Sequence, residues 1–264
     1  MSDGVHIRAA RPGDAGEIAA LIREAFSPAF GSMFIYACPR VDRYVREQIR
    51  ARAHGGDTRY TVAVAQGHVV GCSEMRRLPT ELFSNYLAVA PAFRGAGLGT
   101  RLLRAAIEDA RDGRTALSLD VHEDNRAARQ WYARLGVAQR SVTRWWVLPL
   151  GGSAAHPALL ADWPQACACR RAFGFSQFRC VTVDGEYRMG MLGAEWFVVK
   201  DREALLDAAA RATLARIDPA RRILALLPDG GLPPALAGTA TAAAASIRMG
   251  ADLPTLLQRL REGC

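Results

Sequence analysis

A glycine-rich turn lies at residues 94–100, where the sequence reads RGAGLGT. Gly95, Gly97 and Gly99 allow the backbone to turn tightly with no side chain over its N–H groups. The apolar, helix-like run that follows places those N–H groups at a helix start, where the helix dipole also favours an anion. Arg94 and Thr100 are further donors beside them. The pattern predicts a site for a phosphate or pyrophosphate group.

Two common phosphate-binding patterns do not fit this turn. The dinucleotide fingerprint GxGxxG opens an early βαβ unit and is followed by an acidic residue about 20 positions later. Here the glycines occur at every second residue and late in the predicted order of strands. A nucleotide-binding P-loop ends in Gly-Lys-Ser or Gly-Lys-Thr, whereas this turn ends in Gly99, Thr100 and Arg101. The spacing therefore excludes both alternatives.

Two motifs together resemble those of the GCN5-related N-acetyltransferase (GNAT) superfamily. The family's acyl-CoA signature, Arg/Gln-x-x-Gly-x-Gly/Ala, is similar to residues 94–99, which follow a hydrophobic strand with a Val-x-Pro ending. The second motif, Asn-x-x-Ala-x-x-x-Tyr-x-x-x-Gly, is present as Asn125, Ala128, Tyr132 and Gly136. Val137 follows where the family frequently has Phe. The motifs have the family's order and separation, and the strand order over residues 5–150 fits as well.

The resemblance implies how acetyl-CoA would bind. The strand through residues 87–89 would splay from its neighbour at 116–122, so that the pantetheine arm fills the gap and bonds the free backbone groups. A backbone N–H near Val89 would receive the acyl carbonyl, and Tyr132 would face the CoA sulfur and protonate the leaving thiolate. The residues expected to bind acyl-CoA are Leu87, Ala88, Val89, Arg94, Gly95, Ala96, Gly97, Leu98, Gly99, Thr100, Asn125 and Ala128.

Asn125 and Tyr132 also have purely structural interpretations. Asn125 stands at a predicted helix start, where Asn is a favoured cap. Tyr132 is also suited to a core position with its hydroxyl satisfied. The functional interpretation of both depends on their spacing downstream of the glycine turn.

Attack by an amine requires a general base, because only the unprotonated amine is nucleophilic. Glu81 lies at the start of the strand that leads to the glycine turn, where the family often has a catalytic Glu, although Phe83 occupies the usual register. Other candidates on neighbouring strands are Glu74, Asp120 and His122. The residues leave the choice of base open. The expected catalytic set is Tyr132, Glu81 and Glu74.

Hydrophobic periodicity predicts the elements that position these residues. Strands are predicted at 5–10, 82–90, 116–122 and 138–150, with a hairpin over 59–78. Helices are predicted at 12–26, 41–53, 98–111 and 125–135. This order predicts an α/β fold in which a mixed sheet is flanked by helices.

The second half repeats a similar order of elements. It contains a predicted hairpin at Asp184 and Gly185, a helix at 201–217, a strand at 221–228, a further Ala-rich helix and a strand at 244–250. An internal duplication would explain the repeat, with chance similarity of Ala-rich helices as the alternative. The predicted organisation is a catalytic domain at 1–150, a linker at 151–175 and a smaller, degenerate GNAT-like α/β domain at 176–264. Because the second half lacks both motifs, we expect no second CoA site.

Composition narrows the class of protein. The chain has 264 residues and a net charge of +8, and Lys200 is the only lysine among 34 basic residues. The sequence predicts a cytoplasmic protein without a membrane segment, because no apolar run approaches the roughly 20 residues that a membrane helix needs and residues 1–14 lack a signal-peptide core. Six scattered cysteines have no metal-ligand spacing, so no metal is expected. The net positive charge is the only feature that favours a nucleic-acid partner, so none is expected.

The expected function is transfer of an acetyl group from acetyl-CoA to a primary amine of a small molecule or peptide, by direct attack in a ternary complex. A covalent route through Cys72 is disfavoured. Aromatic residues within 25–40 would wall the acceptor pocket or complete the core. The alternative is a regulatory or scaffold protein that binds CoA without turnover. The chain is expected to be a monomer or a homodimer.

Overall fold

The computed structural model describes residues 4–152 and 158–262, which form two compact units. The first unit contains residues 4–29, 42–140 and 247–262. The second unit contains residues 30–41, 141–152 and 158–246. The units thus interleave along the chain, whereas the sequence predicts consecutive domains. Within the predicted linker, residues 159–161 form a strand and residues 163–173 form a helix.

The first unit is built on a mixed sheet with helices on it. Its elements up to residue 134 are β1 (Val5–Ala9), α1 (Ala15–Phe30), α2 (Val41–Ala51), β2 (Thr58–Ala65), β3 (His68–Arg77), β4 (Glu81–Val89), α3 (Leu98–Ala110), β5 (Ala116–His122) and α4 (Arg126–Arg134). Strands β1 to β4 pair in antiparallel fashion, and β4 pairs with β5 in parallel. The predicted mixed α/β architecture is confirmed. Helix α1 extends past its predicted end at residue 26 and includes Pro28.

Helix α3 is held on the sheet by one apolar face. Its buried side chains recur at helical spacing, at Leu98, Leu102, Leu103, Ala106, Ile107 and Ala110. On β3, a Cβ atom added to Gly71 would lie 3.3 Å from Leu102 Cδ2. Strand and helix therefore approach closely at this point, which fixes where the start of α3 stands relative to the end of β4.

The second unit also consists of sheet strands with helices between them. The elements from residue 138 onward are β6 (Ala138–Leu148), β7 (Leu159–Ala161), α5 (Trp163–Phe173), β8 (Phe175–Val181), β9 (Glu186–Leu192), β10 (Trp196–Val199), α6 (Arg202–Leu206), α7 (Ala208–Ile217), β11 (Arg222–Pro228), β12 (Thr241–Asp252) and α8 (Leu253–Glu262). Strands β7 to β10 are antiparallel neighbours, β10 and β11 are parallel, and β11 pairs with β6 in antiparallel fashion.

The last strand of each half of the chain continues into the other unit. Most of β6 lies in the second unit, while the end of β12 and all of α8 lie in the first. The succession β2, β3, β4, α3, β5 is matched by β8, β9, β10, α6 and α7, β11. A duplication of the chain remains a prediction, and this repeated order supports it.

Several predicted elements of the second half differ from the structure. The predicted hairpin at Asp184 and Gly185 is confirmed, with the Thr182 N–H donating to the Gly185 carbonyl at 2.8 Å. The predicted helix at 201–217 is interrupted at Asp207, whose side chain accepts from the Ala210 N–H and caps α7. The predicted Ala-rich helix after it is wrong, since a short 3-10 turn leads there into strand β12. Helix α8 was not predicted.

The assignment of α8 to the first unit leads to a stability prediction. Leu256 is 1% exposed, so Leu256→Ala should lower the free energy of unfolding by about 2–5 kcal/mol, through lost burial and the cavity left behind. Urea unfolding measured by circular dichroism would give the change. Gln258→Ala alters an exposed position of the same helix and should be nearly neutral. Equal effects of the two substitutions would contradict the packing of α8.

Candidate active site

The glycine turn connects β4 to α3 and faces open space. Gly95 and Gly97 have φ angles of 80° and 75°, in the left-handed region that favours glycine. A Cβ atom on either residue would meet no other atom within 4 Å. Gly97 is the N-cap of α3, and no side chain caps this helix. The first N–H groups of α3 are therefore available to solvent or to an anion.

Arg94 is held at the end of β4. Its Nε donates to the Val89 carbonyl at 2.9 Å, while the residue as a whole is exposed. Sequence analysis places Arg94 and Thr100 beside the same phosphate. In the structure the Arg94 Nε secures the strand end, and Thr100 lies half-buried in the first turn of α3. Their contact with a phosphate stays a prediction.

Strands β4 and β5 part beside this turn. Their parallel pairing covers residues 81–84 of β4 and 116–119 of β5 and is not recorded beyond them among the described residues. Strand β4 continues to Val89, paired with β3 alone. Leu87, Ala88 and Val89 therefore lie on the edge that opens towards β5.

The backbone of β4 presents polar groups to this gap. The Ala90 N–H donates to the Val70 carbonyl at 2.9 Å, on the side of β3. Because successive backbone groups of a strand point to opposite sides, the N–H groups of Val89 and Leu87 point away from β3, into the gap. The gap is therefore lined by donors suited to an extended polar ligand.

Helix α4 and its N-cap contain the first three residues of the second motif, Asn125, Ala128 and Tyr132. Asn125 is its N-cap, and the Asn125 Oδ1 accepts from the Ala128 N–H at 3.0 Å. Tyr132 is buried, and its ring centroid lies 4.6 Å from that of Trp131. Burial raises the pKa of the Tyr132 phenol. Asn125 thus has the structural role of a cap, and Tyr132 stays protonated and able to donate.

Glu74 is a fully buried carboxylate that organises the centre of β3 and β4. Its Oε1 accepts from the Arg76 Nε at 3.1 Å and from the Asn85 Nδ2 at 2.6 Å, and its Oε2 accepts from the Tyr60 hydroxyl at 3.0 Å. A register shift between β3 and β4 occurs opposite Asn85, which is thus a β-bulge residue. Because both oxygens are engaged, Glu74 is a poor candidate for direct proton transfer.

Aromatic side chains from α1 and α2 lie on the same side of the sheet as Glu74. The Phe26 and Tyr86 rings meet edge to face at 5.3 Å. Burial, and secondly the charge of Glu74, raise the pKa of Tyr44 and Tyr86. The remaining aromatic residues of the predicted acceptor segment are buried within the second unit, namely Phe30, Phe34 and Tyr36.

The other candidate bases also have partners. The Glu81 Oε1 accepts from the Ser118 hydroxyl at 2.8 Å. Asp120 receives two bonds from Arg248, at 2.5 and 3.0 Å. The His122 Nδ1 accepts from the Asp124 N–H at 3.3 Å. Among the described residues, only Glu81 in this set keeps a carboxylate oxygen that accepts no hydrogen bond.

Cys72 is unsuited to a covalent route. The residue is 0% exposed, and burial raises the pKa of its thiol. The thiolate required of a nucleophile is therefore disfavoured. This agrees with the expectation that the thioester would be attacked directly.

Comparison with known proteins adds to this geometry. The profile of the Acetyltransferase (GNAT) family matches residues 19–137, the stretch that contains the glycine turn, the parted strands and Tyr132. Residues 19–137 are therefore similar to this family, and the predicted resemblance is confirmed over this stretch.

Curated relatives match shorter stretches of this chain. An uncharacterized N-acetyltransferase of Methanocaldococcus jannaschii is 42% identical over 60 residues, which cover 22% of this chain and 26% of that protein. The N-alpha-acetyltransferase RimI of Mycobacterium tuberculosis is 35% identical over 89 residues, 32% of this chain and 55% of RimI. The chain thus spans about a quarter and about half of the length of these relatives.

Solved structures show a similar fold over nearly the whole chain. A tandem GNAT protein from the clavulanic acid biosynthesis pathway is 15% identical, with a TM-score of 0.67 over 94% of this chain and 98% of that one. A GCN5-related N-acetyltransferase from Sphaerobacter thermophilus is 16% identical, with a TM-score of 0.59 over 96% of each chain. These likenesses confirm the predicted fold class, a GNAT domain with a second GNAT-like unit.

Sequence analysis missed two arginines of the candidate site. Arg76 is bound to Glu74, and an Arg two residues after Glu on the same face of a strand was the available signal. Arg248 bonds Asp120 and lies with its guanidinium carbon 4.9 Å from the centroid of Phe83. No local pattern could reveal Arg248, because 128 residues separate it from Asp120.

The sequence predicts neither a metal site nor a membrane segment. Within residues 4–152 and 158–262, no group of three or more His, Cys, Asp or Glu side chains could hold a metal ion. None of the helices there is both long and apolar enough to cross a membrane.

The engagement of Glu74 leads to a testable difference between two carboxylates. Glu74→Gln removes the charge that Arg76, Tyr60 and Asn85 contact, and should lower the free energy of unfolding by about 1–3 kcal/mol, as expected for charged hydrogen bonds. Glu81→Gln, at a half-buried position with one hydrogen bond, should cost clearly less. Urea unfolding of both variants provides the measurement. A larger loss in Glu81→Gln would refute the central role of Glu74.

Proposed function

We propose that this chain transfers an acetyl group from acetyl-CoA to a primary amine of a small molecule or peptide, by direct attack in a ternary complex. The observation that carries the proposal is the parting of β4 and β5 beside the uncapped start of α3. A backbone edge without a partner strand and an open helix N-terminus occur at adjacent ends of one strand. Together they suit an extended ligand that carries a pyrophosphate.

The pyrophosphate would lie on residues 94–100. Gly95 and Gly97 leave the space above the turn open, and the N–H groups of Leu98, Gly99 and Thr100 begin α3. These donors and the helix dipole stabilise an anion. The pantetheine arm would extend along residues 87–89, with Asn125 and Ala128 at the start of α4 on the facing side.

The acyl carbonyl would accept a hydrogen bond from a β4 backbone N–H, at Val89 or Leu87. As the amine nitrogen bonds to the carbonyl carbon, negative charge develops on the carbonyl oxygen, and a fixed N–H donor stabilises it. The carbon–sulfur bond then breaks, and the thiolate leaves. Tyr132, kept protonated by its burial, would give its proton to this sulfur.

The proton of the attacking amine must also be removed. Glu74 and Asp120 are both engaged by donors, whereas Glu81 keeps one oxygen without a hydrogen bond among the described residues. Glu81 is the candidate base, and Glu74 would position Asn85 and Arg76. Glu81 begins β4 and lies about 20 Å along the strand from Leu87, so the proton would pass to it through a chain of several waters. The two carboxylates would then affect different steps.

The second unit lacks the features of this site. Strand β10 pairs with β11 along its whole length, so no gap opens there. Two residues later Asp201 caps α6 and accepts from the Glu203 N–H at 3.0 Å. A carboxylate therefore occupies the place where a phosphate would bind, and one acetyl-CoA per chain is expected.

A regulatory or scaffold protein that binds CoA without turnover is the second candidate. The observation in its favour is that most carboxylates near the gap already have partners. Thiol release separates the two candidates, because a scaffold would bind CoA and release no thiol with any amine of a broad panel.

Gly97→Glu tests the pyrophosphate site. The new side chain and its charge would occupy the anion position, so CoA affinity should fall at least 100-fold, corresponding to about 3 kcal/mol. Calorimetric titration would measure it, with a stoichiometry near one for the unaltered chain. Gly67→Glu is the matched control, because Gly67 has a φ of 85° and equally open surroundings. Unchanged CoA affinity in folded Gly97→Glu would refute the site assignment.

Tyr132→Phe tests the proton donor. The ring packing is kept and the hydroxyl is lost, so CoA affinity should stay the same while turnover falls about 100-fold, the lower end for general acid catalysis. Thiol release at saturating acetyl-CoA is the measurement. In the unaltered protein the rate should rise with pH as the amine loses its proton, since the raised pKa of Tyr132 keeps the phenol protonated. Full turnover in the variant would leave Tyr132 a core aromatic.

A further inference from the structure

A cavity of about 760 Å³ lies at the end of α3 opposite to the glycine turn. It is formed within the first unit by the end of α2, the start of β2, the end of β3 and the loop after α3. Five arginines line it: Arg52, Arg59, Arg77, Arg111 and Arg114. Helix α3 has 13 residues, so at about 1.5 Å per residue the cavity is roughly 20 Å from the turn. We call it the arginine cavity.

The acidic residues of the arginine cavity are already engaged. Asp109 accepts two bonds from Arg52, both at 2.7 Å. Asp112 lies 3.1 Å from Arg77 and 3.8 Å from Arg114. Glu108 lies 3.7 Å from Arg261. Each carboxylate of the lining thus has a cationic partner.

Arg59 and Arg111 lack a carboxylate partner at ion-pair distance among the described residues. Arg59 is only 8% exposed, and its Nη1 donates to the carbonyls of Gly56 and Thr58. Burial, and then the charges of Arg77 and Arg52, lower the pKa of Arg59, and the charges of Asp109 and Asp57 offset this only in part. A buried guanidinium beside like charges is costly unless an anion neutralises it.

Arg77, which lines the same cavity, has a side-chain donor without a hydrogen-bond partner among the described residues. Its Nε is buried without a hydrogen-bond partner among the described residues, while its terminal nitrogens contact Gly56 and Asp112. Buried donors are normally satisfied. The cavity therefore contains an excess of positive charge and an unused buried donor.

We propose that the arginine cavity binds a small phosphorylated molecule through its phosphate group. Planar guanidinium groups match the oxygens of a phosphate and bind it with two parallel hydrogen bonds. A diphosphate would neutralise the charges of Arg59 and Arg111 together. Glu108, Asp109 and Asp112 line the same cavity, and their charges repel a long polyanion such as nucleic acid. This site is independent of the proposed acetyl transfer.

Pyrophosphate is the probe for the test. Calorimetric titration is made with and without saturating CoA, because CoA would displace pyrophosphate from the glycine turn and not from the arginine cavity. The unaltered protein should bind about one pyrophosphate in the presence of CoA. Arg111→Gln should weaken this binding about tenfold or more, the effect expected for a charged hydrogen bond, and Arg59→Gln should weaken it further.

The control is Arg50→Gln, which removes the same charge from an exposed position on α2, outside the cavity, and should leave the affinity nearly unchanged. Arg111 is exposed, so its variant folds even if Arg59→Gln does not. The comparison of Arg111→Gln with Arg50→Gln also holds if the chain fails to bind CoA. No pyrophosphate binding by the unaltered protein, or equal affinity in Arg111→Gln and Arg50→Gln, would overturn the proposal.

Discussion

The open edge of β4 is the constraint on which the rest of the first unit depends. A strand normally shares its backbone groups with both neighbours, yet β4 leaves β5 after Ser84 and continues to Val89. The strands can part only because other contacts hold each of them. Strand β3 holds β4 on one side, Arg94 secures its end, and α3 packs across the sheet. The gap is thus a feature of the fold of the first unit.

The second half of the chain contributes to the first unit. Strand β12 brings Arg248 to Asp120 and Phe83, beside the point where β4 and β5 part, and α8 buries its leucines in the same unit. The second unit, by contrast, has its own helix start closed by Asp201. The two halves therefore differ at this helix start while sharing a similar order of elements.

Local sequence patterns predict much of this organisation, and the predictions that were wrong have physical causes. Periodicity and glycine spacing predict β4, the turn and α3, because one short stretch of chain determines them. The alanines of β12 favour helix by propensity, but pairing in a sheet decides their conformation. Asp207 breaks a predicted helix because its side chain caps the next one. The contact of Arg248 with Asp120 depends on a chain path that local patterns do not encode.

The interleaved chain path also bears on synthesis. A ribosome delivers the N-terminal part first, and domains generally fold as units in that order. The first unit, however, requires residues 247–262 to complete its sheet and cover α3. An incomplete nascent chain therefore holds a glycine turn and a parted strand pair without their final support. The unit that carries the candidate active site is consequently finished only after the second unit has been synthesised.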